Sequence, residues 1–395
     1  MVTRAARFRA RIVVGVVLLG GAMTLGLACG TSSHARTRAA HLRTAGASPI
    51  SAGGGFACTL LPSHRVKCWG WNDGGQLGDG TTKNSSAPVL VSGITNASQV
   101  SAGGDHTCAL LSNHRVECWG YNYFGQLGDG TTKNSSAPVL VSGITNASQV
   151  SAGGSYTCAL LSNHGVKCWG SNTYGQLGDG TTKDSSTPVS VRGVTNAIQV
   201  GAGTYHTCAL LSNQSVECWG DNQAGELGYG KIPKSPIPVP VSGITNVIQL
   251  SAGTYHTCAL LSNRRVECWG DNDNGELGNG TRTPSFTPVM VSAVTNATQV
   301  SAGGLHTCAL LSDRRVECWG WNIYGQLGNG KTKDGLVPVR VKGILATTQV
   351  SAGDGFTCAL LSNHGASCWG GNDDGQLGNG KKTNSSTPVS VVGLR

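Results

Sequence analysis

Charge is scarce in this chain of 395 residues, of which 12% are Asp, Glu, Lys or Arg, and only 3 are Met. A disordered chain would carry higher net charge and fewer aliphatic residues, so 39% hydrophobic content describes a folded molecule. Apolar spacing at three and four residues over ten positions is missing, which excludes helical repeats. Missing too are the Cys-x-x-Cys pairs of a zinc site, the alternating acids of a calcium loop and the nucleophile patterns of hydrolases. A sialidase-like Ser-x-Asp-x-Gly turn is not matched by Ser162-Asn163-His164-Gly165-Val166. No catalytic residue, cofactor or metal is therefore expected, and the chain reads as a non-enzyme.

Acidic residues are absent from positions 1–49, which hold seven arginines; subtracting these from the 29 basic residues leaves 22 against 20 acids in the remainder. The formal charge of +9 is thus concentrated at one end, and a nucleic-acid-binding face is not expected. Arg4, Arg7, Arg9 and Arg11 precede an apolar run from Ile12 to Ala28, the layout of a secretory signal over residues 1–29. Leu25-Gly26-Leu27-Ala28-Cys29 resembles a bacterial lipobox, except that Gly26 replaces the usual aliphatic residue. Lipidation of Cys29, simple cleavage and a retained anchor are the three outcomes of this layout, and a lipid on Cys29 is the only membrane attachment expected after processing. Residues 30–49, rich in Ser, Thr, Ala and Arg, read as a disordered tether.

A period of 50 residues governs everything else. Trp69, Trp119, Trp169, Trp219, Trp269, Trp319 and Trp369 each stand in Cys-Trp-Gly, and residues 75–104 and 125–154 are identical. Units of one length that solve one packing problem imply a solenoid or propeller. The second unit contains four short strands, Gln99–Ala102, His106–Leu111, Arg115–Trp119 and Pro138–Ser142, separated by Gly, Asn, Asp and Ser turns. Four strands per unit and seven units (50–99, 100–149, 150–199, 200–249, 250–299, 300–349 and 350–395) predict an all-β, seven-bladed β-propeller of four-stranded blades over residues 50–395. Pro388–Leu394 is expected to supply the last strand of the last blade. A ring of this kind is expected to be a monomer.

Gly103–Leu110 reads Gly-Gly-x-His-Thr-x-Ala-Leu, and Trp119–Gly130 reads Trp-Gly-x-Asn-x-x-Gly-Gln-Leu-Gly-x-Gly. In these motifs the chain resembles the regulator of chromosome condensation repeat family, over all seven units. The resemblance implies a closed ring of seven blades. It also implies, for the family's eukaryotic name-giver, nucleotide exchange on a nuclear GTPase and docking on chromatin. A signal segment, a nearly neutral propeller and uniform units without an inserted wedge argue against carrying that activity over. A secreted bacterial member that inhibits β-lactamases through loop aromatics is the nearer parallel in mode.

Of 15 cysteines, fourteen form pairs ten residues apart: Cys58 and Cys68, Cys108 and Cys118, Cys158 and Cys168, Cys208 and Cys218, Cys258 and Cys268, Cys308 and Cys318, Cys358 and Cys368. In a hairpin turning at Ser112-Asn113-His114, Cys108 faces Cys118 and Leu110 faces Val116, at about 4.5 Å between Cα atoms, which suits a disulfide. Disulfides are the expected state, with reduced buried thiols and metal binding as rivals; a staple in every blade belongs to an oxidising compartment.

His106, His206, His256 and His306 recur where other units carry Phe56, Tyr156 and Phe356, so packing or one structural hydrogen bond is expected of them rather than acid-base chemistry. His64, His114, His164 and His364 fall in the hairpin turn and are expected to face solvent. Asp79, Asp129 and Asp179, with Asn279, Asn329 and Asn379 in later units, precede glycine and are expected to take left-handed turn geometry.

Scaffolds repeat their cores and vary their binding loops. After Cys-Trp-Gly the units carry Trp71, Tyr121, Ser171, Asp221, Asp271, Trp321 and Gly371, followed by Tyr123, Phe124, Tyr174 and Tyr324 in the same loops. Symmetry places these on one face, with an aromatic half and an acidic half. The expected function is an extracytoplasmic binding or scaffold protein that engages an unidentified protein partner through Trp71, Tyr121, Tyr123, Phe124, Tyr174, Trp321 and Tyr324, with Asp221 and Asp271 beside them. The alternatives are an exchange-factor-like regulator, from the resemblance, and binding or processing of a cell-wall glycan.

Overall fold

The computed structural model describes residues 49–394, and all of its regular structure is β-strand. The signal segment, Cys29 and almost all of the tether lie outside the described residues. Pro49 is already tied down, since its carbonyl accepts the Leu60 N–H at 2.6 Å and the Thr59 hydroxyl at 2.7 Å.

Seven antiparallel sheets of four strands each use strands consecutive in sequence, and they form the seven blades of a ring. In the second blade the strands are Ala97–Ala102, His106–Leu111, Val116–Gly120 and Ser135–Leu140. The second strand matches the expectation residue for residue. The fourth begins three residues earlier than expected because the register shifts between Cys118 and Gly120, so that Gly120 pairs with Ser135. The last blade ends likewise with Ser385–Ser390 rather than Pro388–Leu394. Pro138 is tolerated because the fourth strand is the outer edge of its sheet, where an N–H is dispensable.

Cys108 pairs with Cys118 and Leu110 with Val116. All seven cysteine pairs are disulfides, with Cα atoms 4.0–4.1 Å apart and every sulfur buried. The seven tryptophans are fully buried between blades, and each indole N–H crosses to the preceding blade, as from Trp169 to the Gln126 carbonyl at 2.9 Å. Gly128 makes this approach workable. Its φ is +73°, and a Cβ there would lie 2.5 Å from the Trp169 indole nitrogen.

Around the axis, each glutamine of the first strands clasps the next blade: Gln99 donates to the Val150 carbonyl at 2.9 Å and accepts the Val150 N–H at 3.0 Å. Gln349 carries the belt across the chain ends, donating to the Ile50 carbonyl at 3.0 Å and accepting its N–H at 3.2 Å, while Pro49 takes the glutamine position in the first blade.

The motif histidines are structural. His106, His206, His256 and His306 are wholly buried, and the Nε2 of each meets the threonine of the next blade at 2.7–2.8 Å, as in His106 with Thr157. Tyr156 reaches Thr207 in the same way, at 2.9 Å. The hairpin-turn residues His64, His114, His164 and His364 are exposed with φ of 59–65°, and His114 also sets Nδ1 against the Ala147 carbonyl at 3.1 Å.

The Asp79 family departs from expectation. None of these residues has positive φ; Gly78 and Gly80 take the left-handed geometry on either side. Asp79 instead caps the loop by accepting the Thr81 N–H at 3.0 Å and the Thr81 hydroxyl at 2.8 Å, an Asx turn that Asn279 repeats with Thr281.

Candidate binding face

Two connections of every blade emerge on one side of the ring: the loop between the first and second strands and the long loop between the third and fourth, because His106 pairs with Gly120. The hairpin turn and the link to the next blade emerge on the opposite side. Internal hydrogen bonds hold the long loop in one shape. Buried Asn122 accepts the Leu127 N–H at 2.9 Å and donates to the Lys133 carbonyl at 3.0 Å, while Gln126 accepts the Phe124 N–H at 3.0 Å. With Asn122 and Gln126 committed to the loop itself, Tyr123 and Phe124 are left to face outward.

The structure sorts the expected residues into separate groups. Trp71, Tyr121 and Tyr123 form a row across blades one and two, with ring centroids 5.6 and 5.5 Å apart. Tyr121 is half-buried because it lies on Gly74 of the preceding blade, where a Cβ would meet its ring at 2.3 Å. Tyr123 is 67% exposed and Phe124 43%. Trp321 and Tyr324 form a second pair at 5.2 Å, and Tyr324 leans on Gly355. Tyr174 joins neither group. It packs edge-on against Tyr205 at 5.4 Å, and Tyr205 continues to Tyr255 at 5.7 Å. The face is therefore not divided into an aromatic and an acidic half, because Tyr205 and Tyr255 stand among the acids. Asp221 is not a rim residue either: it is 5% exposed and accepts the Asn222 N–H at 3.0 Å.

Tyr205 and Tyr255, together with Asp105, Asp354 and Glu226, went unread in the sequence. The signal was present: the position before the motif histidine runs Gly55, Asp105, Ser155, Tyr205, Tyr255, Leu305 and Gly355. Asp354 is exposed at the axial mouth, where crowding by surrounding protein first, and the Asp105 carboxylate second, raise it above the usual carboxylate range. Burial also raises Asp221 and Asp271, and it takes Glu226 up to about 7.

Tyr174, Tyr205, Tyr255, Asp221, Asp271 and Glu226 line a cavity of about 450 Å³. At the axis the Ala-Gly segments of the blades line a separate pocket of about 80 Å³. Among the described residues no group of three or more His, Cys, Asp or Glu is placed to hold a metal ion.

Residues 96–395 match the model of the RCC1-like domain, and residues 63–110 that of the regulator of chromosome condensation (RCC1) repeat. No curated protein matches the sequence. Among solved structures the chain is similar to Prp20p of Saccharomyces cerevisiae, studied for its binding to Gsp1p and histones. That likeness has 23% identity and a TM-score of 0.76 over 85% of this chain and 87% of the other. Human WBSCR16 is 22% identical with a TM-score of 0.76, over 83% and 95% of the two chains. The ectodomain of the Arabidopsis thaliana receptor kinase ACR4 is 24% identical with a TM-score of 0.51, over 82% and 97%.

Proposed function

The chain belongs to the family of RCC1-like domains, and from that premise we propose that it is an exported binding protein that grips a protein partner with its long-loop face. The observation that carries this reading is the Trp71, Tyr121 and Tyr123 row, which ends in Tyr123 at 67% exposure beside Phe124 at 43%. Large rings held at low entropy cost and offered to solvent are what binding hot spots use. The paired Trp321 and Tyr324 extend the surface across the ring.

Export is supported by chemistry as well as by the arginine-led apolar segment at residues 4–28. Seven buried disulfides suit an oxidising compartment. Receptor ectodomains adopt a related ring. The segment over residues 1–29 acts in this reading as a signal, with Cys29 as lipid anchor or cleavage neighbour, and the ring works as a monomer.

The test captures partners on the full chain and on a Tyr123→Ala, Phe124→Ala variant. A partner that binds the first and loses about 2 kcal/mol or more with the second supports the proposal. Partners held equally by both overturn it. Stimulated nucleotide release from a GTPase, or tight binding of muramyl or chitin oligosaccharides, would replace it with the regulator or the glycan reading.

A further inference from the structure

Blades four and five depart from the repeat at three positions that meet in one place. Other blades carry Gln76, Gln126, Gln176, Gln326 and Gln376 where these carry Glu226 and Glu276; after Cys-Trp-Gly they carry Asp221 and Asp271; before the motif histidine they carry Tyr205 and Tyr255. In blade five Glu276 uses its second oxygen within the loop, accepting the Asn274 side-chain N–H at 2.8 Å, but in blade four the change serves no structural need. The Glu226 carbonyl receives the Trp269 indole N–H at 2.8 Å, just as the Gln126 carbonyl receives that of Trp169 at 2.9 Å, and the carboxylate takes the Ala224 N–H at 3.0 Å where Gln176 takes that of Tyr174 at 2.9 Å.

Gln76 and Gln326 leave Nε2 without a partner at the same place in the loop, so what Glu226 adds there is charge. Glu226 is 0% exposed and lines the cavity, yet Oε1 has no hydrogen-bond partner. A buried carboxylate without a counter-charge is costly. Two ion pairs form among the described residues, Arg282 with Asp334 and Arg315 with Asp313, and neither relieves this site. Lys234, opposite Asp221 in register, turns its ammonium to the Thr173 carbonyl at 3.4 Å. Around the acids stand three tyrosine rings, whose faces attract cations. The carboxylates are not gathered closely enough for a metal, and a cavity of about 450 Å³ suits a larger guest.

We propose that this cavity takes one organic cation, the guanidinium or ammonium group of an arginine or lysine side chain of the protein partner, with Tyr205 and Tyr255 against its stem and Asp221, Asp271 and Glu226 facing its charge. The assignment rests on the protein-binding reading above and adds the partner's chemistry to it.

The test titrates the full disulfide-bonded chain with N-acetyl-arginine methylamide, N-acetyl-lysine methylamide, the neutral isostere N-acetyl-citrulline methylamide, and tetramethylammonium, by calorimetry. Glu226→Gln and Tyr205→Ser place residues already found at Gln176 and Ser155, so both variants keep the fold, which a thermal melt verifies. At least one cationic amino-acid probe should bind about tenfold or more tighter than citrulline and lose about tenfold in each variant. Citrulline binding as tightly, or Glu226→Gln without effect, overturns the proposal. Binding of tetramethylammonium alone reassigns the cavity to a free small cation and overturns the partner side chain. If the probes fail while Tyr123 and Phe124 still govern capture, only this assignment falls; if the probes bind and capture is indifferent to Tyr123 and Phe124, only the aromatic row falls.

Discussion

The indole nitrogen of Trp69 donates to the carbonyl of Gln376 at 2.9 Å and so joins the first blade to the last. Inside the ring the equivalent carbonyl has two donors: Gln126 receives the Trp169 indole at 2.9 Å and the Thr157 hydroxyl at 2.9 Å. At the seam the threonine is replaced by Ala57, and the histidine that would bond it is replaced by Phe356, so a polar pair has become an apolar one. Trp69→Phe therefore strips the Gln376 carbonyl of its side-chain donor, whereas Trp169→Phe leaves Thr157 in place. Urea unfolding should find the seam variant less stable than the interior one by about 1 kcal/mol, within the usual cost of an unmet buried acceptor. Equal losses would mean that water or another group already satisfies that carbonyl.

The seam also marks the limit of what the sequence discloses. Blade count, strand number and disulfide partners follow from local period and pairing, which a run of residues such as Cys108 to Cys118 contains within itself. That Ala57 and Phe356 are one substitution does not, because they lie 299 positions apart. The cavity was hidden for a related reason: Tyr205 sits inside a motif read as framework, and Glu226 differs from Gln176 by a change that leaves the loop pattern intact. Asp79 shows the opposite error. A residue type that tolerates left-handed geometry does not adopt it where the neighbouring glycines already take that role.

The disulfides make a second prediction, since all fourteen sulfurs are wholly buried. Without reductant, titration should find none of the fourteen thiols even in denaturant, and they should appear only when reductant and denaturant are present together. Replacing both Cys208 and Cys218 by serine removes a ten-residue staple and should cost about 2–3 kcal/mol. Fourteen thiols that titrate in denaturant without reductant would overturn the seven staples.

Acid should unfold the ring through its histidines. Burial holds His106, His206 and His306 down to about 3 and His256 to about 4. In the unfolded chain they take a proton near pH 6.5, so between about 6.5 and 4 the unfolded state binds more protons and stability falls with falling pH; above about 6.5 the contribution is fully present. Glu226, wholly buried and raised to about 7, acts in the opposite sense, because its protonated folded form loses its advantage as pH rises through 7. His106→Phe, which copies Phe56, removes one such group. Unfolding free energies at about pH 6.5 and 4.5 should differ by less in the variant than in the parent. An unchanged difference would show that His106 is already protonated in the fold.

The cavity gives the last prediction, and its sign differs from that of the histidines. Burial raises Glu226 to about 7 and raises Asp221 and Asp271 in the same direction, while Lys234 pulls Asp221 back down and Asp271 feels Asp273. Glu276, also raised by burial, is the remaining acid nearby, and Tyr255 is shifted upward, away from neutrality. A bound cation favours the ionised carboxylate, so it must displace the proton that Glu226 partly holds near neutral pH. Affinity for N-acetyl-arginine methylamide should therefore rise between about pH 6 and 8, with protons released on binding. Calorimetry in two buffers of different ionisation enthalpy counts those protons directly. Glu226→Gln should flatten the rise and abolish most of the release. A variant that keeps the parental pH profile would show that the charge meeting the ligand is not on Glu226 and would overturn the assignment.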